Sequence, residues 1–322
     1  MATADQIKSL IRSHFATDKE HFYTVALQVA AHEAKQGHSE LAHDIRAIVD
    51  TERKKKSPKI LAFPQDLSGL VATESPQVMQ SALVMPQALK DRLESILLEY
   101  KQQSRLKAHG MQHRRKILLI GPPGTGKTMT AKMLAHELNL PLHTIQVDRL
   151  ITKFMGETSA KLRQIFDLIQ SEHGVYLFDE FDAIGAKRTL DNDVGEIRRV
   201  LNAFLQFIEQ DSSDSLIIAA TNHPSLLDHA LFRRFEDVLY YHLPEAHERK
   251  HLIANVLGTF LPERFSWKAV LAESETLSQA EITQACHDAI KKSILSNQAK
   301  VQARDLCLSL KARQSTNQIL HS

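Results

Sequence analysis

The eight residues GPPGTGKT, Gly121 to Thr128, combine types that suit one task. Glycines let a backbone curl until its N–H groups converge on phosphate oxygens, and a helix opening at the end of the curl adds a favourable dipole. Lys127 is placed to reach the β- and γ-phosphates of a nucleotide, and Thr128 to offer its hydroxyl to Mg²⁺. Pro122, Pro123, Gly124, Thr125 and Gly126 complete the loop, and Met129 comes next, so 121–129 is the expected nucleotide-binding run. A second cluster, VYLFDEFDAIG, spans Val175 to Gly185. Its apolar strand delivers Asp179 and Glu180 to a carboxyl-terminal sheet edge, where α/β sheets place ligands. Asp179 suits the Mg²⁺ shell, and Glu180 can polarise a water for in-line attack on the γ-phosphate.

A third pattern is a decoy. His247-Glu248-Arg249-Lys250-His251 spells HExxH, the spacing of a helical zinc site. Arg249 and Lys250 would put two cations inside it, so it reads as an ordinary helix. His32, His38 and His43 lack ligand spacing and read as helix surface.

These groups need elements to hold them. The phosphate loop requires a strand before it and a helix after it, and Ile117–Ile120 and the segment from Lys127 fit. Further apolar runs at Leu142–Val147, Val175–Phe178, Leu216–Thr221 and Val238–Leu243 alternate with helical patterns. That alternation predicts an α/β fold with a parallel sheet flanked by helices. After Pro244 the pattern is helical, predicting a small lid. Residues 4–53 are also helical in period, through Ile7, Leu10 and Ile11, then Phe22, Val25, Ala26 and Val29, then Leu41, Ile45 and Ile48. Arg53-Lys54-Lys55-Lys56 and the prolines Pro58, Pro64 and Pro76 break that period. The expected organisation is a helical N-terminal module over 1–53, a linker over 54–82, a large α/β subdomain over 83–244 and a helical lid over 245–322.

Composition narrows the field. With 322 residues there is ample chain for a sizeable core. Eleven glycines and ten prolines are too few for a collagen-like or low-complexity chain. Forty basic against thirty-eight acidic residues leave +2, so no global field favours nucleic acid or a membrane surface. No apolar run approaches the roughly 18 residues of a membrane span. Asp5 and the lack of an apolar stretch argue against a secretory signal at Met1–Lys8. Two cysteines, Cys286 and Cys307, make no disulfide scaffold, and reduced thiols in a cytoplasm are expected.

With the first two motifs in view, AATNHPSLLDHALFRRF (Ala219–Phe235) resembles the second region of homology of the AAA group of P-loop ATPases. The likeness runs roughly from Leu83 to Ser293. The RRF ending, without an intervening Pro-Gly, is similar to the katanin and spastin branch. The resemblance implies ATP hydrolysis with Mg²⁺, Asn222 as the sensor that helps hold the attacking water, and Arg233 and Arg234 as arginine fingers supplied to a neighbouring subunit's ATP. It also implies an ATP-dependent ring, a hexamer. Lys153-Phe154-Met155 stands where AAA unfoldases carry an aromatic pore loop, and Asp191-Asn192-Asp193 where they carry a second. Two features depart from the family. Leu83-Val84-Met85-Pro86 lacks the glycine that many relatives place near the adenine. Leu277–Ile282 resembles the lid's Ser-Gly-Ala-Asp stretch and offers no sensor-2 arginine, as is normal for this branch.

The expected function is remodelling, unfolding or translocation of a protein client, which the N-terminal helices would recruit directly or through an adaptor. A nucleic-acid motor or loader is the alternative class, disfavoured by the near-neutral charge, and a low-turnover nucleotide-gated switch is a third. Bacterial ATPases that this chain resembles are sometimes encoded beside subtilisin-type proteases, which adds a protease to the partners implied.

Overall fold

Ile117, Leu118, Leu119 and Ile120 point alternately to the two faces of a sheet, and all four are buried. Leu118 and Ile120 enter one apolar cluster and Ile117 and Leu119 the other, as period-two geometry requires of a strand covered on both sides. This strand, β2 (Lys116–Ile120), lies inside a six-stranded sheet of order β1-β3-β4-β5-β2-β6. The other strands are β1 (Val71–Glu74), β3 (Leu142–Gln146), β4 (Val175–Asp179), β5 (Leu216–Thr221) and β6 (Asp237–Tyr240). All pairings are parallel except β1 with β3. The computed structural model describes residues 19–36, 38, 41–47, 49, 67, 69–150, 155–182, 194–227 and 229–321.

By compactness the chain separates into two units, Met1–Ala62 and Phe63–Ser322. In the first, α1 (Lys19–Lys35) buries Val25, Ala26, Val29 and Ala30. Residues 41–47 are helical, but their buried face runs through Ala42 and on to Val49, whereas Leu41 is 50% exposed. The expected face through Leu41 is therefore rotated by one residue. Ile7, Leu10 and Ile11 lie outside the described residues.

In the second unit, helices cover both faces of the sheet. Leu89, Leu93, Ile96 and Leu97 of α2 (Gln87–Lys101) fill one apolar cluster together with Ala131, Met133 and Leu134 of the helix after the phosphate loop. Short α3 (Gln103–Ala108) comes after α2, the helix leaving the loop is α4 (Lys127–Leu138), and a single turn, α5 (Val147–Leu150), succeeds β3. The opposite cluster takes Leu162, Ile165, Phe166 and Ile169 of α6 (Met155–Ser171) and Val200, Leu201, Phe204 and Ile208 of α7 (Val194–Gln210). Short α8 (His229–Phe232) precedes β6. The last helices, α9 (Ala246–Leu257), α10 (Trp267–Glu273), α11 (Gln279–Leu295) and α12 (Ala303–His321), enclose their own cluster of Ile253, Leu257, Val270, Ile282, Cys286 and Leu306. Both cysteines are free thiols. Among the described residues no helix is long and apolar enough to cross a membrane.

Two expectations need correction. Residues 71–74, read as part of a linker, form the antiparallel edge strand, and Leu67, Leu70 and Val71 join the core. Three apolar groups close together outweigh the neighbouring prolines once the edge of β3 is there to pair with. The last strand stops at Tyr240 rather than Leu243.

Candidate nucleotide site

The parallel strands β2, β5 and β4 end side by side, with β5 in the middle. A right-handed parallel arrangement brings the loops after such ends to one rim, where ligands collect. The loop after β2 turns directly into α4. Gly121 is demanded by a neighbour, because a β-carbon there would come within 2.4 Å of the Tyr241 carbonyl oxygen. Gly124 lies at φ 75°, and a β-carbon would stand 2.6 Å from Ser278 Oγ at the head of α11. The lid thus rests on the phosphate loop, and the Ala280 N–H donates to the Gly124 carbonyl at 3.0 Å.

Lys127 is buried, and its ammonium donates to the carbonyls of Gly121 at 2.7 Å and Pro122 at 2.8 Å. Burial holds this amine below its ordinary range, with the carboxylates of Asp179 and Asp182 working against the shift. An anion arriving at the loop adds to those carboxylates and favours the charged form. The Thr128 hydroxyl donates to Asp179 Oδ2 at 2.7 Å, so a hydroxyl from the head of α4 and a carboxylate oxygen from the last residue of β4 meet at one point. Hard oxygen donors converging beside a phosphate loop are a fit for Mg²⁺.

Glu180 is exposed and sits at φ 51°, a conformation that a non-glycine residue adopts only when its neighbours hold it. The neighbours do so here. Its own N–H donates to Asp179 Oδ1 at 3.0 Å. Phe181 is fully buried, 4.5 Å from the Phe204 ring centre, and its N–H donates to the Ala220 carbonyl at 2.8 Å. That anchor turns the Glu180 side chain outward at the strand end.

A cavity of about 670 Å³ gathers these groups. Pro123 to Met129, Asp179, Glu180 and Asn222 line one part of it. Ala82 to Met85, Tyr241, Leu252, Val256, Gln279, Ala280, Thr283, Gln284 and His287 line the rest. The segment without the family glycine therefore does face the cavity, as do four lid side chains spaced i, i+3, i+4 and i+7 on α11. Sequence reasoning misses those lid residues, and Tyr241 and Asp182 with them. The helical spacing of Ala280, Thr283, Gln284 and His287 is the available signal, but nothing local says which helix face meets another subdomain. Tyr241 is buried, donating its hydroxyl to Thr130 Oγ1 at 2.8 Å.

Arg233 and Arg234 stay out of the cavity. Both are exposed, and Arg234 pairs with Glu209 on α7 at 3.1 Å. Lys153 and Phe154 lie outside the described residues, as do Asp191, Asn192 and Asp193, while Met155 begins α6. The HExxH helix is put to structural use. Glu248 Oε2 accepts the Glu245 N–H in a capping box, and no metal-holding group of His, Cys, Asp and Glu occurs among the described residues.

Removing the buried cation should weaken nucleotide binding. Lys127→Ala is expected to raise the Kd for a fluorescent nucleoside triphosphate about 10–100-fold, the worth of one or two charge-assisted bonds. An unchanged Kd would remove Lys127 from the binding set.

Comparisons with known proteins place the chain as a whole. Residues 117–243 match the family model "ATPase family associated with various cellular activities (AAA)". The fold is that of the FIGL-1 AAA domain, with a TM-score of 0.61 at 22% identity over 80% of this chain and 92% of that one. A proteasome-activating nucleotidase from Thermococcus onnurineus is 34% identical over 216 residues, which are 64% of this chain and 52% of the relative. An uncharacterised AAA family ATPase, y4kL, from Sinorhizobium fredii is 35% identical over 315 residues, covering 95% of this chain and 93% of that protein. A likeness of that depth along nearly the whole length makes this chain a member of the AAA family, an ATP-hydrolysing enzyme.

Proposed function

We propose that the chain is a cytoplasmic subunit of an ATP-dependent ring, a hexamer, that remodels or translocates polypeptide. The observation that carries the reading is the division of labour at the cavity. Lys127, Thr128, Asp179, Glu180 and Asn222 share one space, while Arg233 and Arg234 face solvent on the same chain. A site with no guanidinium among its described lining residues and a surface that offers two are complementary halves, and identical subunits join such halves head to tail around a closed ring.

In this reading ATP lies with its phosphates on the loop 121–128 and its base between Ala82–Met85 and the lid. The loop N–H groups and Lys127 bind and orient the phosphates. Thr128 and Asp179 would hold Mg²⁺, which neutralises phosphate charge when bound. Glu180 takes a proton from a water whose oxygen attacks the γ-phosphorus, and the bond to the bridging oxygen breaks in line. Asn222 holds that water, and closure of the lid keeps bulk solvent out. The subdomains at 83–244 and 245–322 would then be the two jaws of the cleft, and the helical N-terminal unit a docking module for a client, an adaptor or a protease partner. The resemblance to a proteasome-activating nucleotidase supports a protein client, and the near-neutral charge supports it over a nucleic acid.

Phe154 tests the client class. If its ring grips polypeptide, Phe154→Ala should keep basal ATPase activity and lose all stimulation by unfolded protein, while Phe154→Trp keeps both. A core role instead predicts a loss of about 3–5 kcal/mol of stability and a lower melting temperature. Phosphate release with unfolded protein, with DNA or with neither, on preparations whose melting is also measured, decides. Stimulation by DNA alone, or an alanine variant that melts early and is inactive throughout, overturns the reading.

A further inference from the structure

Asp182 carries more than its place two residues past the base suggests. The ladder between β4 and β5 ends at Phe178 opposite Ala219, so the backbone beyond it needs other partners. Asp182 Oδ1 supplies one of them, accepting the Asn222 N–H at 3.2 Å, and it also accepts the Thr221 hydroxyl at 3.0 Å. The same hydroxyl oxygen accepts the His223 N–H at 3.1 Å. Three consecutive residues leaving β5 are therefore fixed by one carboxylate oxygen, directly or through Thr221.

The carboxylate is itself held. Phe181, next to it, is locked in the core and bonded to Ala220. The same anchor holds the left-handed turn at Glu180. A carboxylate oxygen carries two lone pairs, so one atom accepts from both groups and serves as a strut between two strand ends. Asn222 and Glu180, each one residue past the end of a different strand, are then held by the adjacent residues Asp182 and Phe181.

We propose that Asp182 is a positioning residue for hydrolysis: it fixes the backbone of Asn222, and so aims the side chain that holds the attacking water, without taking part in nucleotide binding. The inference rests on the sensor role of Asn222 in the proposed function. A misplacement of about 1 Å at a reacting centre costs up to about 10²-fold in rate, so the strut has a measurable effect.

The test is a cycle of Asp182→Ala and Asn222→Ala in the full chain, read by kcat, ATP Kd and melting temperature. Asp182→Ala should lower kcat about 10–100-fold with a Kd within about threefold of the parent. In the Asn222→Ala background it should cost nothing further. Asp182→Asn keeps an oxygen that accepts both bonds and should recover kcat to within about fivefold of the parent. Parental activity in Asp182→Ala overturns the proposal, as does an additive loss in the double variant. Parental activity in Asn222→Ala removes the sensor role itself and the inference with it. Should Asp182→Ala melt too low to assay, Asp182→Asn is read in its place: a kcat loss well beyond fivefold at parental Kd and melting temperature overturns the strut. A weakened Kd in Asp182→Asn would mean that the charge acts on Lys127, and overturns it.

Discussion

Subunits carrying Arg233→Ala and Arg234→Ala together should bind ATP normally and hydrolyse it roughly 10³–10⁵-fold more slowly, the range in which an arginine supplied in trans acts in other nucleotide hydrolases. Phosphoryl transfer spreads charge over three oxygens, and a guanidinium brought into a dry site meets that charge where water would screen it. Neither arginine lines the cavity of its own chain, so the proposed ring predicts an effect that crosses a subunit boundary. Mixing the double variant with Lys127→Ala subunits should therefore restore part of the activity, because intact halves meet at mixed boundaries. Light scattering with ATP should report a hexamer. A strictly monomeric enzyme with undiminished turnover, or a mixture no faster than its components, would sink the trans assignment. Glu209 bears on the same test, since it pairs with Arg234 in the single chain. That pair is exposed on both sides and is worth no more than about 1 kcal/mol, so assembly can break it readily.

The second large effect is on the base. Glu180→Gln should retain ATP binding, because Lys127, Thr128 and the loop N–H groups are untouched, and lose roughly 10²–10⁴-fold in hydrolysis, because an amide cannot take a proton from water. Its backbone strain is held by Phe181 and Asp179, so the amide should also occupy the same turn and leave the melting temperature in place. Phosphate release and a nucleotide titration on one preparation separate the two effects. The same variant with ATP is the natural sample for the light-scattering measurement, since it holds nucleotide without consuming it. Hydrolysis at the parental rate would strip Glu180 of the role.

Much of this is legible in residue order. The loop 121–128, the strand that feeds it and the helix that leaves it are contiguous, and their requirements are local: permissive φ, an apolar period of two and an orphan helix N-terminus. Asp179 and Glu180 are legible for the same reason, since a strand ending in carboxylates states its own polarity. The edge strand Val71–Glu74 is hidden because prolines on both sides mask a four-residue run whose pairing partner, β3, comes some seventy residues later. Asp182 stands in plain sight within VYLFDEFDAIG, yet its role depends on Thr221 and Asn222 at the end of another strand.

The sequence by itself thus determined the chemistry on offer: a phosphate cradle, a cation, a hydroxyl, two carboxylates and a helical cover. Tertiary structure decided which of these meet. It placed β5 between β4 and β2, so that Asn222 faces the cavity that holds Glu180 and Lys127. It turned one face of α11 onto Gly124, and it left Arg233 and Arg234 outside. The physical reason is range. Torsional preference and hydrophobic period act over a few residues and are written in each segment, whereas strand order and lid contact arise from burying several apolar faces at once, a condition that no single segment contains.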